Sequence, residues 1–229
     1  MLVKKWEKLP IEMQLDEIKP YHASLRKKNF SLFCKRAFDF FVALVMVLIL
    51  SPVLLILSIA IKLNSRGPVL FRQERVTQYG KKFRICKFRT MVVDAEKKGA
   101  QVTSKNDSRI TGVGKLIRKC RLDELPQLFN VLGGSMTFVG TRPEVSKYVD
   151  RYTPEMKATL LLPAGITSMA SIKFKDEDEL LEGAENIDDA YVEKVLPQKM
   201  EYNFTELKKF GFWRDIGTMF RTVIAVFRR

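Results

Sequence analysis

The sequence predicts an α+β protein that is mainly helical, with a re-entrant membrane helix, a small β-hairpin and interfacial amphipathic helices. Three observations predict this fold class: an apolar run over residues 40–61, short apolar segments on either side of Gly80, and mixed apolar and basic residues over 202–229. At 229 residues the chain accommodates one domain and a membrane element. We divide it into an N-terminal extension (1–34), a membrane helix (35–63) and a cytosolic domain (64–229).

The apolar run is long enough to cross a membrane, but its flanks favour a different path. Roughly 22 residues rising about 1.5 Å each would just span a hydrocarbon core of about 30 Å. A spanning helix normally has its basic flank on the cytoplasmic side only. Here basic residues lie on both sides, with Arg26, Lys27, Lys28, Lys35 and Arg36 before the run and Lys62, Arg66, Arg72 and Arg75 after it.

Ser51 and Pro52 lie near the middle of the run and predict a break in the helix. Pro52 lacks an N–H and its ring clashes with the carbonyl of Leu48, so the helix should bend there. The Ser51 hydroxyl can satisfy part of the freed backbone, as apolar surroundings require. A re-entrant path, in which each arm enters about half of the bilayer, keeps both flanks on one side. The alternative is a straight single-span anchor with a tolerated proline kink.

The cytosolic domain should begin with a β-hairpin, because residues 69–71 and 83–85 flank a polar turn that ends at Gly80. Apolar residues at 122, 125, 128, 129 and 132 then have helical spacing. Pro126 lies in the first turn of this helix, where proline is tolerated, and Gly133-Gly134 ends it. Residues 163–167 predict a second Pro/Gly turn.

The C-terminal segment has the composition of an interfacial helix whose long cations reach toward headgroups. The alternative is an ordinary amphipathic helix that closes the soluble core. The residues concerned are Phe210, Phe212, Trp213, Phe220 and Phe227, accompanied by Arg214, Arg221, Arg228 and Arg229.

The composition limits the chemistry. Lys and Arg number 40 against 26 Asp and Glu, a formal net charge of +14 that suits nucleic acid, phosphorylated ligands or an anionic membrane face. Three cysteines without metal-binding spacing fit a reducing compartment. The single histidine, His22, excludes a histidine-based nucleophile pair and a histidine-rich zinc site.

Asp123 and Glu124 form the most chemically suggestive pair, since they lie at or beside a predicted helix N-terminus. The helix dipole and neighbouring arginines should stabilise their charges. Adjacent carboxylates of this kind usually cap a helix, and that reading stays open. The cations Lys87, Arg89, Arg118 and Arg142 favour a phosphate site instead. A carboxylate can bind Mg²⁺ together with phosphate oxygens, or attack phosphorus to give an acyl phosphate.

Further blocks accompany this pair: Arg36-Ala37-Phe38-Asp39, Gly67-Pro68-Val69-Leu70-Phe71-Arg72-Gln73-Glu74-Arg75, Lys87-Phe88-Arg89-Thr90-Met91, Leu122-Asp123-Glu124-Leu125-Pro126-Gln127-Leu128, Gly140-Thr141-Arg142-Pro143-Glu144 and Pro163-Ala164-Gly165-Ile166-Thr167. With them, the chain from residue 35 onward resembles the bacterial sugar transferase family, the monotopic phosphoglycosyl transferases. The D-E-L-P-Q block is specific in this context, whereas each other block alone is weak.

The resemblance implies transfer of a sugar-1-phosphate from a UDP-sugar to polyprenol (undecaprenyl) phosphate, with release of UMP. It implies that Asp123 is the nucleophile and forms a covalent phosphosugar, that Glu124 is its partner, and that Asp123 binds Mg²⁺. Lys87 and Arg118 match residues implicated in activity or phosphate binding, and Arg142 matches the arginine of the family's P-R-P loop. Asp39 and Asp215 match recurrent acidic positions whose roles stay open.

The resemblance also implies a monotopic protein of the bacterial inner membrane, with its catalytic part on the cytosolic face and in contact with membrane lipid. No nucleic-acid partner is expected, and a homodimer is compatible with this arrangement. Departures from the family pattern at Arg75-Val76-Thr77, Gly134-Ser135, Thr141-Arg142 and Thr167-Ser168 leave the carboxylate pair intact and bear on sugar specificity.

Two other function classes compete with this interpretation. A membrane-tethered nucleic-acid-binding module would suit the charge and the interleaved aromatic residues, but no helix–turn–helix, zinc or aromatic RNA-binding signature is present. A structural membrane scaffold would use the apolar run and leave the carboxylate pair and the cations without a role.

Overall fold

The structure, a computed structural model, describes residues 2–95, 107–175, 180–181 and 186–227. Across these ranges the chain is mainly helical, as predicted, and carries two small sheets. The helices are α1 (Lys19–Lys27), α2 (Asn29–Asn64), α3 (Gly112–Lys119), α4 (Gln127–Leu132), α5 (Ser146–Val149), α6 (Met169–Lys173), α7 (Ile187–Ala190), α8 (Leu196–Lys208) and α9 (Phe212–Phe227). The strands are β1 (Leu70–Val76), β2 (Lys82–Phe88), β3 (Met136–Val139) and β4 (Ala164–Thr167). Short 3-10 turns lie at Trp6–Lys8, Ile11–Met13, Asp16–Ile18, Gln78–Gly80, Leu122–Glu124 and Met156–Leu161, and a π-helical turn at Tyr191–Val195.

The predicted β-hairpin is confirmed. β1 and β2 pair in antiparallel register, with Leu70 opposite Phe88 and Val76 opposite Lys82. At the turn, Tyr79 and Gly80 adopt φ angles of 60° and 73°, a left-handed conformation that glycine adopts without steric cost. The hairpin brings Lys87, near the end of β2, back toward the start of β1.

The turn predicted at residues 163–167 is wrong. Ala164–Thr167 forms β4, which pairs in parallel with β3 and is largely buried. Gly165 lies so close to the backbone of Gly140 that a side chain has no room. The glycine that suggested a turn therefore allows two backbones to approach closely within the core.

The apolar run forms the middle of α2, a helix of 36 residues that continues through Ser51 and Pro52. The division into two arms is therefore not confirmed, and the re-entrant path stays a prediction. The Ser51 hydroxyl does donate to the Leu48 carbonyl at 2.8 Å, the acceptor that Pro52 cannot serve. Among the described residues, α2 is the one helix long and apolar enough to cross a membrane by length and composition.

One face of α2 packs against the rest of the protein on both sides of Pro52. The contact residues recur three or four positions apart, as expected for one helical face: Ala43, Val47, Leu50, Leu54, Leu57 and Ile61. The first three pack with residues of α4, β2 and β3, and the last three with residues of β2 and α3. The other face is apolar and exposed, as at Leu48, Ile49, Leu55 and Ile56.

The N-terminal extension belongs to the same folded body as the cytosolic domain. Its apolar side chains, Val3, Leu9, Met13, Ile18 and Leu25, share one core cluster with Tyr79, Ala158, Leu161, Leu207 and Phe210. The Lys28 ammonium also donates to the Phe210 carbonyl at 2.6 Å. The segments before and after α2 therefore share a core.

Helix α9 exposes several large apolar side chains and buries its acidic side chain. Trp213, Phe220 and Ile224 are exposed, whereas Asp215 and Thr218 are buried. A helix that closes a soluble core has the opposite arrangement. The exposure pattern favours the interfacial interpretation of this segment.

Candidate active site

The Asp123-Glu124 pair lies on a tight turn that leads into α4. Arg121 adopts a left-handed conformation (φ 56°), a 3-10 turn covers Leu122–Glu124, and Pro126 forms the N-cap of α4. Proline fits this place because its missing N–H would have no acceptor within the helix. The pair therefore lies beside a helix N-terminus, as predicted, but the helix begins at Gln127, later than its apolar spacing from residue 122 indicated.

Glu124 is held by two cations from separate parts of the chain. Its Oε1 atom accepts hydrogen bonds from Lys87 Nζ and from Arg142 Nη2, each at 3.0 Å. The side chain is only 14% exposed. Burial alone would raise the pKa of Glu124, but the charges of Lys87 and Arg142 outweigh it and hold the pKa well below its ordinary value. Glu124 is therefore a permanent anion at physiological pH.

Asp123 has a different environment from its neighbour. Its Oδ1 atom is buried and, among the described residues, has no hydrogen-bond partner. Burial raises the pKa of Asp123, while Lys87, Arg118 and Arg121 oppose the rise. The capping interpretation is not supported, because Asp123 makes no hydrogen bond to a backbone N–H of the described residues. A desolvated carboxylate beside cations is suited to nucleophilic attack on an anionic group.

Two side chains that sequence reasoning gave no individual role fix α4 in place. Asn130 bridges to β2, accepting from the Cys86 N–H at 2.8 Å and donating to the Arg84 carbonyl at 2.9 Å. Arg36 of α2 donates to the carbonyls of Val131 and Leu132 at the C-terminal end of α4. Together they tie the helix that follows the carboxylate pair to the strand carrying Lys87 and to the membrane helix.

The structure brings three of the four predicted cations to the carboxylates. Lys87 and Arg142 contact Glu124 directly, and Arg118, on the last turn of α3, lowers the pKa of Asp123. Arg89 lies elsewhere: it is buried, and its Nη2 atom donates to the carbonyl and hydroxyl of Ser65 just after α2. Among the described residues, Arg89 forms no ion pair with the two carboxylates.

Asp39 and Asp215, whose roles the sequence left open, meet in a buried cluster at the base of α2. Lys35 Nζ lies 2.7 Å from Asp215 Oδ2 and 3.7 Å from Asp39 Oδ2. The Thr137 hydroxyl of β3 donates to Asp39. Burial raises the pKa of Asp215, and Lys35 opposes the rise. The cluster joins α2, α9 and β3.

The donor atoms around the Asp123-Glu124 pair fit Mg²⁺ in only one binding arrangement. Both candidate ligands are carboxylates, the hard oxygen donors that Mg²⁺ prefers, and one Asp123 oxygen has no described partner. No cluster of three or more His, Cys, Asp and Glu side chains able to hold a metal occurs in the described parts of the chain. The site therefore fits an ion held by a carboxylate together with substrate phosphates and water, rather than an all-protein cage.

Comparison with known proteins gives a consistent match. The sequence model of the bacterial sugar transferase family matches residues 30–229. The chain is 38% identical over 195 residues to a UDP-N-acetylgalactosamine-undecaprenyl-phosphate N-acetylgalactosaminephosphotransferase of Aeromonas hydrophila, covering 83% of this chain and 43% of that protein. It is 36% identical over 198 residues to a UDP-glucose:undecaprenyl-phosphate glucose-1-phosphate transferase of Klebsiella pneumoniae, covering 84% and 40%.

A UDP-glucose:undecaprenyl-phosphate glucose-1-phosphate transferase of Caulobacter vibrioides is 34% identical over 192 residues, covering 82% of this chain and 68% of that protein. The chain spans only about two fifths of the length of the Aeromonas and Klebsiella relatives. The alternative of a nucleic-acid-binding module receives no support from the family match or from these relatives.

Proposed function

Because the chain belongs to the bacterial sugar transferase family, we propose that it transfers a sugar-1-phosphate from a UDP-sugar to polyprenol phosphate and releases UMP. The relatives named above are transferases between UDP-sugars and undecaprenyl phosphate. The observation that carries the proposal is a pair of neighbouring carboxylates among several cations: Asp123, whose buried Oδ1 atom has no described hydrogen-bond partner, and Glu124, which Lys87 and Arg142 hold in place.

In the first half-reaction, an Asp123 carboxylate oxygen attacks the β-phosphorus of the UDP-sugar. The new oxygen–phosphorus bond replaces the bond to the bridging oxygen, which leaves with its electron pair as part of UMP. The product on the enzyme is an aspartyl phosphosugar. Glu124 keeps Lys87 and Arg142 beside the reacting phosphoryl group, where their charges stabilise the transition state.

In the second half-reaction, a phosphate oxygen of polyprenol phosphate attacks the same phosphorus atom. The aspartyl oxygen–phosphorus bond breaks, the carboxylate of Asp123 is regenerated, and the sugar is left on a polyprenyl diphosphate. Mg²⁺, bound by Asp123 together with the diphosphate, would neutralise charge on the phosphoryl oxygens. The raised pKa of Asp123 fits a nucleophile, since a more basic carboxylate attacks more readily.

The membrane path we propose is monotopic, with both flanks of α2 on the cytosolic face of the inner membrane. Its support is the shared core of the N-terminal extension and the cytosolic domain, together with the exposed apolar face of α2. The acceptor phosphate lies at headgroup depth, and α9 exposes Trp213 and Phe220 for the same plane.

The topology is tested with single cysteines at Leu2 and Arg72, labelled in intact cells and in inverted vesicles with a reagent that does not cross membranes. Both should react only in inverted vesicles. The native cysteines Cys34, Cys86 and Cys120 are first replaced by serine to remove background labelling. Labelling of either introduced cysteine in intact cells contradicts the monotopic path.

The activity is tested by UMP release from a panel of UDP-sugars, with and without undecaprenyl phosphate. A donor that gives about one equivalent of UMP without acceptor, and turnover with acceptor, supports a two-step reaction. Intact mass and peptide mapping after quenching should locate the phosphosugar on Asp123. An adduct on another residue, or UMP release that requires both substrates, contradicts the assignment.

A further inference from the structure

The turn that carries Arg142 (residues 141–144) is connected to a further network of buried charged side chains outside the active site. Glu144, two residues after Arg142, is buried and points away from the carboxylate pair into this network. Its Oε1 atom accepts a hydrogen bond from the Tyr191 hydroxyl at 2.6 Å and lies 4.0 Å from Lys199 Nζ. Its Oε2 atom lies 3.9 Å from Arg75 Nη1.

Arg75 links this network to the backbone of the turn. The same Nη1 atom of Arg75 donates to the Pro143 carbonyl at 3.2 Å. Burial lowers the pKa of Arg75, Glu144 counteracts this, and the charge of Arg142 lowers the pKa further. The charges of Arg75 and Arg142 therefore repel each other, and the Glu144 carboxylate offsets the charge of Arg75.

Three carbonyls hold the backbone of the turn, and only one of these contacts depends on a side chain. The Thr141 carbonyl accepts from the Gly165 N–H, and the Glu144 carbonyl accepts from the Val76 N–H, both at 2.9 Å. The Pro143 carbonyl, which lies directly after Arg142, is held by Arg75. The Gln73 side-chain oxygen accepts from Nε and Nη2 of Arg75 at 2.9 and 2.6 Å, and the Glu144 carboxylate acts on Nη1, the atom that makes this third contact.

We propose that Glu144 is a positioning residue for Arg142: its carboxylate keeps Arg75 against the Pro143 carbonyl and thereby fixes the turn that directs Arg142 to Glu124. The expected effect of Glu144 on kcat/KM rests on the proposed function, whereas its effect on the backbone of the turn does not. Without the carboxylate, the charge of Arg75 is uncompensated and close to Arg142, and the Arg142–Glu124 contact loosens.

The kinetic test is a double-mutant cycle on UMP release with Glu144→Gln and Arg142→Ala. Glu144→Gln should lower kcat/KM by about tenfold or more in the wild-type background and by less than about threefold when Arg142 is absent. Equal losses in the two backgrounds overturn the proposal. The matched control is Glu74→Gln, on the same strand as Arg75, whose exposed ion pair with Lys82 should leave activity unchanged.

Two further measurements keep the proposal testable if a variant is inactive or unstable. Tyr191→Phe removes one hydrogen bond to Glu144 but no charge, and its smaller loss of activity should also depend on Arg142. Hydrogen exchange should accelerate in Glu144→Gln at the Gly165 and Val76 amides, which donate to the Thr141 and Glu144 carbonyls of the turn. It should stay unchanged at the Cys86 amide, which donates to Asn130. Unchanged or uniformly faster exchange contradicts the proposal. If the wild type releases no UMP, the proposed function fails, and hydrogen exchange still decides the role of Glu144.

Discussion

Two clusters of carboxylates and cations in this protein differ in charge, in burial and in their expected roles. At the Asp123-Glu124 turn, several cations surround two carboxylates, and one carboxylate oxygen has no described partner. At the base of α2, one lysine, Lys35, faces the two carboxylates of Asp39 and Asp215. The first cluster has an excess of positive charge, and the second has an excess of acidic groups.

The two clusters also differ in burial. We call the Asp123-Glu124 turn with its cations the open cluster, and the group of Lys35, Asp39 and Asp215 the closed cluster. Arg142 at the turn is 32% exposed, whereas the Lys35 side chain is 3% exposed. An open cluster with surplus cations can receive an anion, whereas a buried cluster with surplus acidic groups repels one and here joins secondary-structure elements. The two clusters therefore differ both in accessibility and in balance of charge.

The largest expected effect is at the open cluster. Asp123→Asn preserves size but removes the nucleophile, so turnover should fall by at least about 10³-fold while the unfolding temperature changes little. UMP release and adduct formation are measured together, with Asp150→Asn as an exposed control. A variant that keeps more than about a tenth of the wild-type rate contradicts the role of Asp123.

At the closed cluster the same kind of change should damage stability instead. Lys35→Met leaves two buried carboxylates without their cation, which should cost about 3–5 kcal/mol of unfolding free energy. Thermal unfolding in detergent measures the loss. The control is Lys82→Met, which breaks an ion pair whose partners are 61% and 55% exposed and should cost at most about 1 kcal/mol. Equal effects would mean that burial does not separate the two kinds of ion pair here.

The open cluster could be predicted from the sequence, and the closed cluster could not. The resemblance of the D-E-L-P-Q block and its accompanying blocks to a known family singled out Asp123, Glu124, Lys87 and Arg142, and these four residues lie together. The closed cluster depends on Lys35 and Asp215 meeting across most of the chain. No local spacing encodes that contact, and the buried role of Lys35 became visible only in the fold.

The same physical reason explains which parts of the secondary structure could be predicted. The hairpin was predictable because its turn and both strands are adjacent in sequence. The pairing of β3 with β4 joins residues far apart, and a glycine needed for backbone contact has the same local signal as a glycine in a turn. Continuity of α2 through Pro52 depends on tertiary packing on both sides, which local propensity does not include.

The decrease of kcat/KM at acidic pH, the acid limb of the pH profile, tests how the open cluster controls the protonation of Asp123. Asp123 must be ionised to attack, and burial raises its pKa, so activity should fall on acidification before an ordinary aspartate would be protonated. Lys87→Met removes a cation that lowers this pKa, so the limb of kcat/KM should move to higher pH. Glu124 stays ionised because Arg142 still contacts it. Lys82→Met is the control and should leave the acid limb at the wild-type pH. An acid limb that also stays there in Lys87→Met contradicts the predicted coupling between Lys87 and Asp123.

The smallest expected effect separates hydrogen bonding from charge within the closed cluster. Thr137→Val keeps the side-chain shape but removes the hydroxyl that donates to Asp39. Asp39 then keeps only Lys35 as a described partner, so the unfolding free energy should fall by about 1–3 kcal/mol, which exceeds the loss for a neutral pair. Thr222→Val is the matched control, because Thr222 pairs with the neutral hydroxyl of Thr167 at 2.8 Å and should cost about 0.5–1.5 kcal/mol. Since neither threonine touches the open cluster, the rate of UMP release per folded molecule should match that of the wild type in both variants. A Thr137→Val protein with wild-type stability would mean that Lys35 alone satisfies Asp39, and a loss of rate without a loss of stability would mean that the two clusters are coupled.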